Sequence, residues 1–223
     1  MTKTNELKNY NNEMIIPEIL FPKRDLVFRR IFGVEKNKKL LKSFIQAVLN
    51  LEKDDISDLT IKDPHLLPNH IDEKYCILDL LVTTNIGTYI HIEIQVANRA
   101  DMKDRITFYN SRMITNQLSA NAVYSLNRAI SIIIVDYDLL PEEKDYFSRF
   151  RMQNVKTHRE FSDKIEYNVL TLNKLPKDPD STKKGGNSLK GLYIYREFQY
   201  MFPFSHWKFI SYADKLLVYI KTE

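Results

Sequence analysis

Residues 75–96, YCILDLLVTTNIGTYIHIEIQV, predict a β-hairpin. In residues 89–96, polar or aromatic side chains at odd positions alternate with Ile or Val at even positions. A period of two with many β-branched residues is typical of a strand. Residues 75–83 are rich in Ile, Leu and Val and predict the partner strand. Residues 85–87, Asn–Ile–Gly, supply the turn, because Asn and Gly tolerate a positive φ.

Three polar side chains interrupt this apolar hairpin. Asp79 is the one charge of the first arm, and Glu93 and Gln95 lie on the second arm. Residues two apart in a strand share a face, and pairing around the turn places Asp79 opposite Glu93. Burying carboxylates costs several kcal/mol unless they are paired or bind a cation. No Lys or Arg lies on the same strand face, so the pattern favours a hard-cation site such as Mg²⁺, which prefers oxygen ligands.

A simpler interpretation stays open at this point. Asp79 could pair with a basic side chain at the surface, and Glu93 could be solvated on an open antiparallel face. The alternation alone does not choose between that arrangement and a metal site.

Several stretches, in a fixed order along the chain, resemble known proteins both within the hairpin and beyond it. They are Asp79 with Glu-x-Gln fourteen residues later, DLVFRRIF (25–32), LKSFIQAVLN (41–50), residues 74–82, HIEIQ (91–95), Arg105 with Tyr109, and residues 129–136. Over residues 20–177 the chain resembles the recombination-promoting nucleases, also described as PD-(D/E)xK family transposases. It departs from their usual motif in carrying Gln95 where Lys is expected.

The resemblance implies a restriction-endonuclease-like α/β core, α-β-β-β-α-β, with a mixed central sheet flanked by helices. It also implies a Mg²⁺-dependent DNA endonuclease, with Mn²⁺ as a compatible metal, linked to recombination or transposition-like DNA transfer. Asp79, Glu93 and Gln95 would be catalytic, and Asp79 and Glu93 would hold the metal. On geometric grounds we expect the Ile94 carbonyl as an extra ligand. Asp25 serves either as a helix N-cap or as an accessory acid of the site.

Basic residues near these positions are candidates for phosphate contacts. Residues 101–121 predict a long helix on which Arg105, Tyr109 and Arg112 share one face. Arg binds phosphate through two parallel hydrogen bonds, so this stripe suits a DNA backbone. The alternative is a hydrated helix face on which Arg105 bridges Asp101 or an active-site carboxylate. The remaining DNA-binding candidates are Lys23, Arg24 and Lys74.

The rest of the chain predicts one α/β domain with appendages. Residues 36–49 form an amphipathic helix, residues 59–61 a short strand, and residues 129–137 a buried strand that a crossover connection adds to the sheet. A further strand pair is expected over residues 150–172, around His158. We divide the chain into a polar segment (1–20), a nuclease-like domain (21–177), a linker (178–190) and an aromatic-rich segment (191–223).

Composition narrows the class of protein. The chain has 223 residues, 43% hydrophobic and 28% charged, a globular balance with a net charge of +4 that permits an anionic partner. Its single cysteine, Cys76, rules out a disulfide framework and is expected to be buried. No apolar run predicts a membrane span or a signal peptide, so we expect a cytoplasmic protein with DNA as its partner. A homodimer is left open.

The sequence has alternatives to a nuclease in other functional classes. The main rival is a catalytically inactive nuclease-like module that binds DNA or another protein. A serine hydrolase is disfavoured because the chain has no Gly-x-Ser-x-Gly motif. Five glycines without a phosphate-loop pattern disfavour a nucleotide-binding protein.

Overall fold

The computed structural model describes residues 25–52, 54–66, 74–119 and 121–175, with side chains from residue 28 onward. The helices are α1 (Asp25–Phe32), α2 (Lys38–Leu49) and α3 (Met102–Thr115). The strands are β1 (Leu59–Lys62), β2 (His65–Leu66), β3 (Cys76–Ile77), β4 (Leu80–Thr84), β5 (Tyr89–Gln95), β6 (Ala129–Val135), β7 (Phe147–Gln153) and β8 (Glu160–Thr171). Short 3₁₀ turns cover Glu35–Asn37 and Leu172–Lys174. The predicted polar segment, linker and aromatic-rich segment lie outside the described residues.

Six strands form one mixed sheet in the order β1-β4-β5-β6-β8-β7. β1, β4 and β5 pair antiparallel, β5, β6 and β8 pair parallel, and β7 returns antiparallel to β8. The parallel step from β5 to β6 runs through α3, which confirms the predicted crossover. β2 and β3 form a separate two-stranded sheet.

Helices cover both faces of the sheet, and the central strand β6 is buried on both. Ile90, Ile92 and Ile94 of β5 pack with the buried faces of α1 and α2 in one core cluster. The opposite face of β6 packs against α3, where Met102 and Ile106 contact Ile133 and Val135. β6 is buried along its whole length, as predicted for a strand between two helical layers.

The hairpin turn has the predicted position and register. Leu80 pairs with Ile92 and Thr83 with Tyr89. The Gly87 N–H donates to the Thr84 carbonyl at 2.9 Å. Gly87 has a φ of 83°, a conformation that L side chains rarely adopt. This turn sets the register that brings Asp79 to the level of Glu93.

We expect Gly87→Ala to lower the free energy of unfolding by about 1–2 kcal/mol, because a Cβ is disfavoured at positive φ. The new Cβ would also lie 3.0 Å from the Asn127 Oδ1. Urea unfolding measures the change. Ile86→Ala, at an exposed position of the same turn, is the matched control and should change stability by less than about 0.5 kcal/mol. Equal stability of Gly87→Ala and the wild type would contradict the strain argument.

The first arm of the hairpin is not one continuous strand, and that part of the prediction was wrong. β3 ends at Ile77 and β4 begins at Leu80. The Leu78 N–H donates to the Pro64 carbonyl at 2.9 Å, which holds this segment near the small β2–β3 sheet. The Asp79 carboxylate accepts the Ile94 N–H at 2.8 Å in place of a backbone carbonyl. The strand is therefore interrupted at the residue that carries the charge.

α3 ends six residues earlier than predicted, at Thr115. The Gln117 side chain donates to the Met113 carbonyl at 3.1 Å and accepts the Asn127 N–H at 2.7 Å. These bonds join the end of the helix to the segment before β6, so the chain turns instead of continuing the helix. No helix among the described residues has both the length and the apolar character to cross a membrane.

The strand pair expected over residues 150–172 is present as β7 and β8, although β7 begins three residues earlier. His158 lies in the connection with a φ of 54°. The Asn154 side chain accepts the N–H groups of Lys156 and Thr157, both at 2.9 Å. This connection joins β7 antiparallel to β8 and completes the sheet on the side away from β1.

Candidate active site

Asp79 lies at the interruption between β3 and β4 and is 7% exposed. Its Oδ2 accepts the Ile94 N–H from β5 at 2.8 Å. Its Oδ1 accepts a hydrogen bond from Nη2 of Arg29, on α1, at 3.0 Å. The same nitrogen donates to the Leu78 carbonyl at 2.9 Å. Backbone and helix together therefore fix the direction of this carboxylate.

Glu93 lies on β5 and is 1% exposed. Its Oε2 is 3.1 Å from Nε2 of His91, two residues earlier on the same strand face. Its Oε1 forms an ion pair with the Arg105 guanidinium, which reaches the sheet from α3. Glu93 is thus buried and paired, and the alternative of a solvated Glu93 was wrong.

Arg105 is held by Tyr109, one helical turn further along α3. Arg105 Nε donates to the Tyr109 hydroxyl at 2.9 Å, and the guanidinium carbon lies 5.2 Å from the centre of the ring. Burial alone would lower the pKa of Arg105, but the Glu93 carboxylate and the Tyr109 hydroxyl raise it above its ordinary value. Arg105 is therefore a fixed positive charge beside Glu93.

Two carboxylates and two guanidinium groups meet at this point of the sheet. Burial raises the pKa of Asp79, and the nearby Glu93 carboxylate raises it further, while the Ile94 N–H and Arg29 oppose the increase. Mutual repulsion between two carboxylates is relieved when a cation binds between them. No Lys or Arg shares the strand face of the carboxylates, and the two arginines that reach them come from the helices α1 and α3.

The donor set fits a hard divalent cation. Mg²⁺ is commonly held by one or two protein carboxylates, with water and substrate phosphate oxygens completing its octahedron. Asp79 and Glu93 supply such a pair. The described residues contain no group of three or more His, Cys, Asp or Glu side chains placed to hold a metal ion. Any cation here would therefore depend on this pair and on other oxygens, such as a backbone carbonyl, water or a substrate phosphate.

The raised pKa of Asp79 predicts how stability depends on pH in EDTA. In the folded protein the charged form of Asp79 is disfavoured. The protonated side chain therefore contributes to the free energy of unfolding at pH values below the ordinary pKa of 3.8, and this contribution is lost as pH rises through the folded-state pKa. The stability of the wild type relative to Asp79→Asn should therefore fall across that window. The expected loss is about 1.4 kcal/mol per unit of pKa difference. Urea unfolding of both proteins from pH 3.5 to pH 8 measures it, and a difference that rises with pH would contradict this sign.

The remaining predicted site residues occupy different environments. Gln95 is half-buried at the end of β5, and Lys74 is exposed just before β3. Arg112 is buried, and burial raises the pKa of the nearby Cys76 thiol, which the charge of Arg112 only partly offsets. Burial leaves Arg112 little surface for a phosphate, unlike Arg105, whose side chain is 22% exposed. The alternative in which Arg105 bridges an active-site carboxylate is the geometry observed, and Asp101 pairs with Arg99 instead.

Three further candidates precede the described side chains. Lys23 and Arg24 lie outside the described residues, and their proposed DNA contacts stay predictions. α1 begins at Asp25, but the structure describes side chains only from residue 28, so neither the cap nor the accessory-acid role is tested.

Sequence reasoning missed two side chains that contact the carboxylates. His91 could have been found, because it shares the polar face of β5 with Glu93 and lies two residues before it. Arg29 gave a weaker signal, because the sequence shows only a basic residue that follows Phe28, and its partial burial is seen only in the structure. Its contact with Asp79 spans 50 residues of sequence and depends on how α1 packs on the sheet.

Comparison with known proteins matches the chain to one family. A family model described as PD-(D/E)XK nuclease family transposase matches residues 22–193, more than half of the chain. No match was found among curated proteins or among solved structures. The six-stranded mixed sheet flanked by helices is consistent with the restriction-endonuclease-like fold that the resemblance implied.

Proposed function

Because the chain belongs to the PD-(D/E)XK nuclease family transposases, we propose that it is a Mg²⁺-dependent DNA endonuclease. It hydrolyses phosphodiester bonds in recombination or transposition-like DNA transfer. The observation that carries the proposal is the closeness of two buried carboxylates, Asp79 and Glu93, at the end of the β4–β5 pair that lies away from the turn. Burying this pair is costly for stability alone, and cation binding is a function that offsets the cost.

Asp79 and Glu93 hold the divalent cation, Mg²⁺ or Mn²⁺, with the Ile94 carbonyl as a further candidate ligand. When bound, the cation polarises the phosphoryl oxygen and lowers the pKa of a bound water. The Ile94 N–H and His91 keep the two carboxylates oriented, at 2.8 Å and 3.1 Å respectively. The protein thus supplies a fixed oxygen pair that requires little rearrangement during the reaction.

Gln95 and Arg105 together replace the lysine of the usual motif, each in one of its roles. The Gln95 amide orients the attacking water or donates to a phosphoryl oxygen, but it carries no charge and accepts no proton. Arg105 supplies the positive charge, because its guanidinium is fixed beside Glu93 and its side chain remains 22% exposed. A guanidinium has five N–H donors, so it can keep Glu93 while binding a phosphate oxygen.

The DNA backbone is the proposed partner of the basic residues around the site. We assign phosphate contacts to Lys74, which is exposed, and to Lys23 and Arg24, which precede α1 in the sequence. We place the activity in the cytoplasm, where a lone thiol such as Cys76 stays reduced.

Cleavage of supercoiled plasmid by the purified protein tests the proposal. We expect nicked and linear products with Mg²⁺ or Mn²⁺, and none with EDTA. The cleavage rate should follow the metal concentration and saturate. A folded protein that leaves the plasmid intact with every divalent metal would contradict the proposed activity.

One observation favours a second candidate function, an inactive module that binds DNA. Both carboxylates already pair with arginines, and Gln95 replaces the usual lysine. Such a module would shift a labelled DNA duplex in EDTA as strongly as in Mg²⁺ and would cleave in neither. A gel-shift assay run beside the plasmid assay separates the two functions.

A further inference from the structure

His91 is fully buried on the polar face of β5, between Glu93 and Tyr109. Its Nε2 lies 3.1 Å from Glu93 Oε2. Its exposed fraction is 0%, which is unusual for a polar side chain unless a partner satisfies it. Strand geometry places His91 and Glu93 side by side, so this contact is built into the alternation of β5.

The surroundings of the two ring nitrogens of His91 identify which of them carries a hydrogen. Nδ1 is buried and has no hydrogen-bond partner among the described residues. The Glu93 carboxylate accepts hydrogen bonds and donates none, so the nitrogen that faces it, Nε2, carries a hydrogen. Nε2 therefore donates to Glu93, and a hydrogen on Nδ1 would find no acceptor among the described residues.

Tyr109 holds the imidazole from the helix side. The two ring centres are 5.6 Å apart at an interplanar angle of 72°, an edge-to-face contact. The Tyr109 hydroxyl accepts from Arg105 Nε at 2.9 Å, and Arg105 pairs with the second oxygen of Glu93. Glu93, His91, Tyr109 and Arg105 thus form a closed ring of contacts, and rotation of His91 would break it.

We propose that His91 is a positioning residue that fixes the Glu93 carboxylate in the orientation required to bind the divalent cation. This inference rests on the proposed function. Side chains that hydrogen-bond to a ligating carboxylate set its direction, and their loss typically weakens metal binding 10–100-fold. His91 touches neither cation nor substrate in this arrangement and acts through Glu93 alone.

Binding of Mn²⁺ to the full chain without DNA tests this role apart from cleavage. The electron paramagnetic resonance signal of free Mn²⁺ gives the dissociation constant. We expect His91→Leu to weaken binding about 10–100-fold. His91→Gln, whose amide N–H can reach Glu93, should restore most of the affinity. In plasmid cleavage, His91→Leu should shift the Mn²⁺ midpoint upward by a similar factor and should change the rate at saturating Mn²⁺ less.

Matched variants separate the possible outcomes. Circular dichroism and thermal unfolding verify the fold of each variant, and His91→Met is the second apolar substitution if His91→Leu does not fold. If the wild type binds Mn²⁺, Glu93→Gln abolishes that binding, and folded His91→Leu or His91→Met binds within twofold of the wild type, the positioning role is wrong and the proposed function stands. If the wild type shows no Mn²⁺ binding that depends on Glu93, the proposed function fails as well. Equal weakening in His91→Gln and His91→Leu would also overturn the hydrogen-bond argument.

Discussion

Asp79→Asn and Glu93→Gln should each lower metal-dependent plasmid cleavage at least about 1,000-fold. Both substitutions keep the size of the side chain and remove the charge that holds the cation. A divalent cation contributes several kcal/mol to the stabilisation of a phosphoryl-transfer transition state, and each 1.4 kcal/mol is a factor of ten in rate. Initial rates of plasmid nicking at saturating Mg²⁺ measure the effect.

Asp58→Asn is the matched control for the two carboxylates. Asp58 is exposed and pairs with Lys38, so its substitution should leave cleavage within about twofold of the wild type. The Asp79→Asn and Glu93→Gln proteins should keep the far-ultraviolet spectrum of the wild type. Cleavage at the wild-type rate in either of these two variants would show that the reaction occurs elsewhere.

Arg105→Gln should lower the maximal cleavage rate about 100-fold, because removing one preorganised donor from a transition state costs about 10²–10³ in rate. Arg105→Lys keeps the charge but loses the planar fork, so we expect it to recover only part of the rate. Single-turnover cleavage of a short duplex at saturating Mg²⁺ separates this effect from DNA binding.

Arg99→Gln serves as the control for Arg105. Arg99 lies just before α3, is about half exposed and pairs with Asp101, not with Glu93. Its loss removes one positive charge from the same region without touching the carboxylates. Equal losses in Arg99→Gln and Arg105→Gln would indicate general attraction of DNA, and wild-type activity in Arg105→Gln would remove this arginine from the reaction.

The turn and register of the central hairpin could be predicted because they depend on interactions between residues close together in the sequence. Strict alternation in β5 set the two faces of the strand, and Gly87 set the turn. The register of β4 and β5 follows from these two facts. The register in turn places Asp79 opposite Glu93. The crossover through α3 was equally accessible, since consecutive parallel strands require a connection of that kind.

The surroundings of the carboxylates could not be predicted, because they arise from tertiary packing. Arg29 reaches Asp79 only when α1 lies on the sheet, 50 residues away in sequence. The interruption of the first arm depends on the bonds of Leu78 to Pro64 and of Asp79 to Ile94, which no local propensity encodes. Arg112 follows the helix phase of Arg105, yet packing buries it beside Cys76.

The length of α3 illustrates a different limit of prediction from sequence. Residues beyond Thr115 are compatible with a helix, but Gln117 forms bonds to both Met113 and Asn127 and ends it. One side chain that bridges two distant backbone groups outweighs the weak preference of several residues. The part of α3 that carries Arg105 and Tyr109 lies before this point and is unaffected.

Anomalous diffraction from crystals grown with Mn²⁺ and a DNA duplex would locate the metal. We predict a manganese peak within coordination distance of both an Asp79 Oδ atom and a Glu93 Oε atom, and the loss of that peak in Glu93→Gln. A manganese peak elsewhere on the protein, or none at these carboxylates while the crystals retain cleavage activity, would contradict the assignment of the metal to this hairpin.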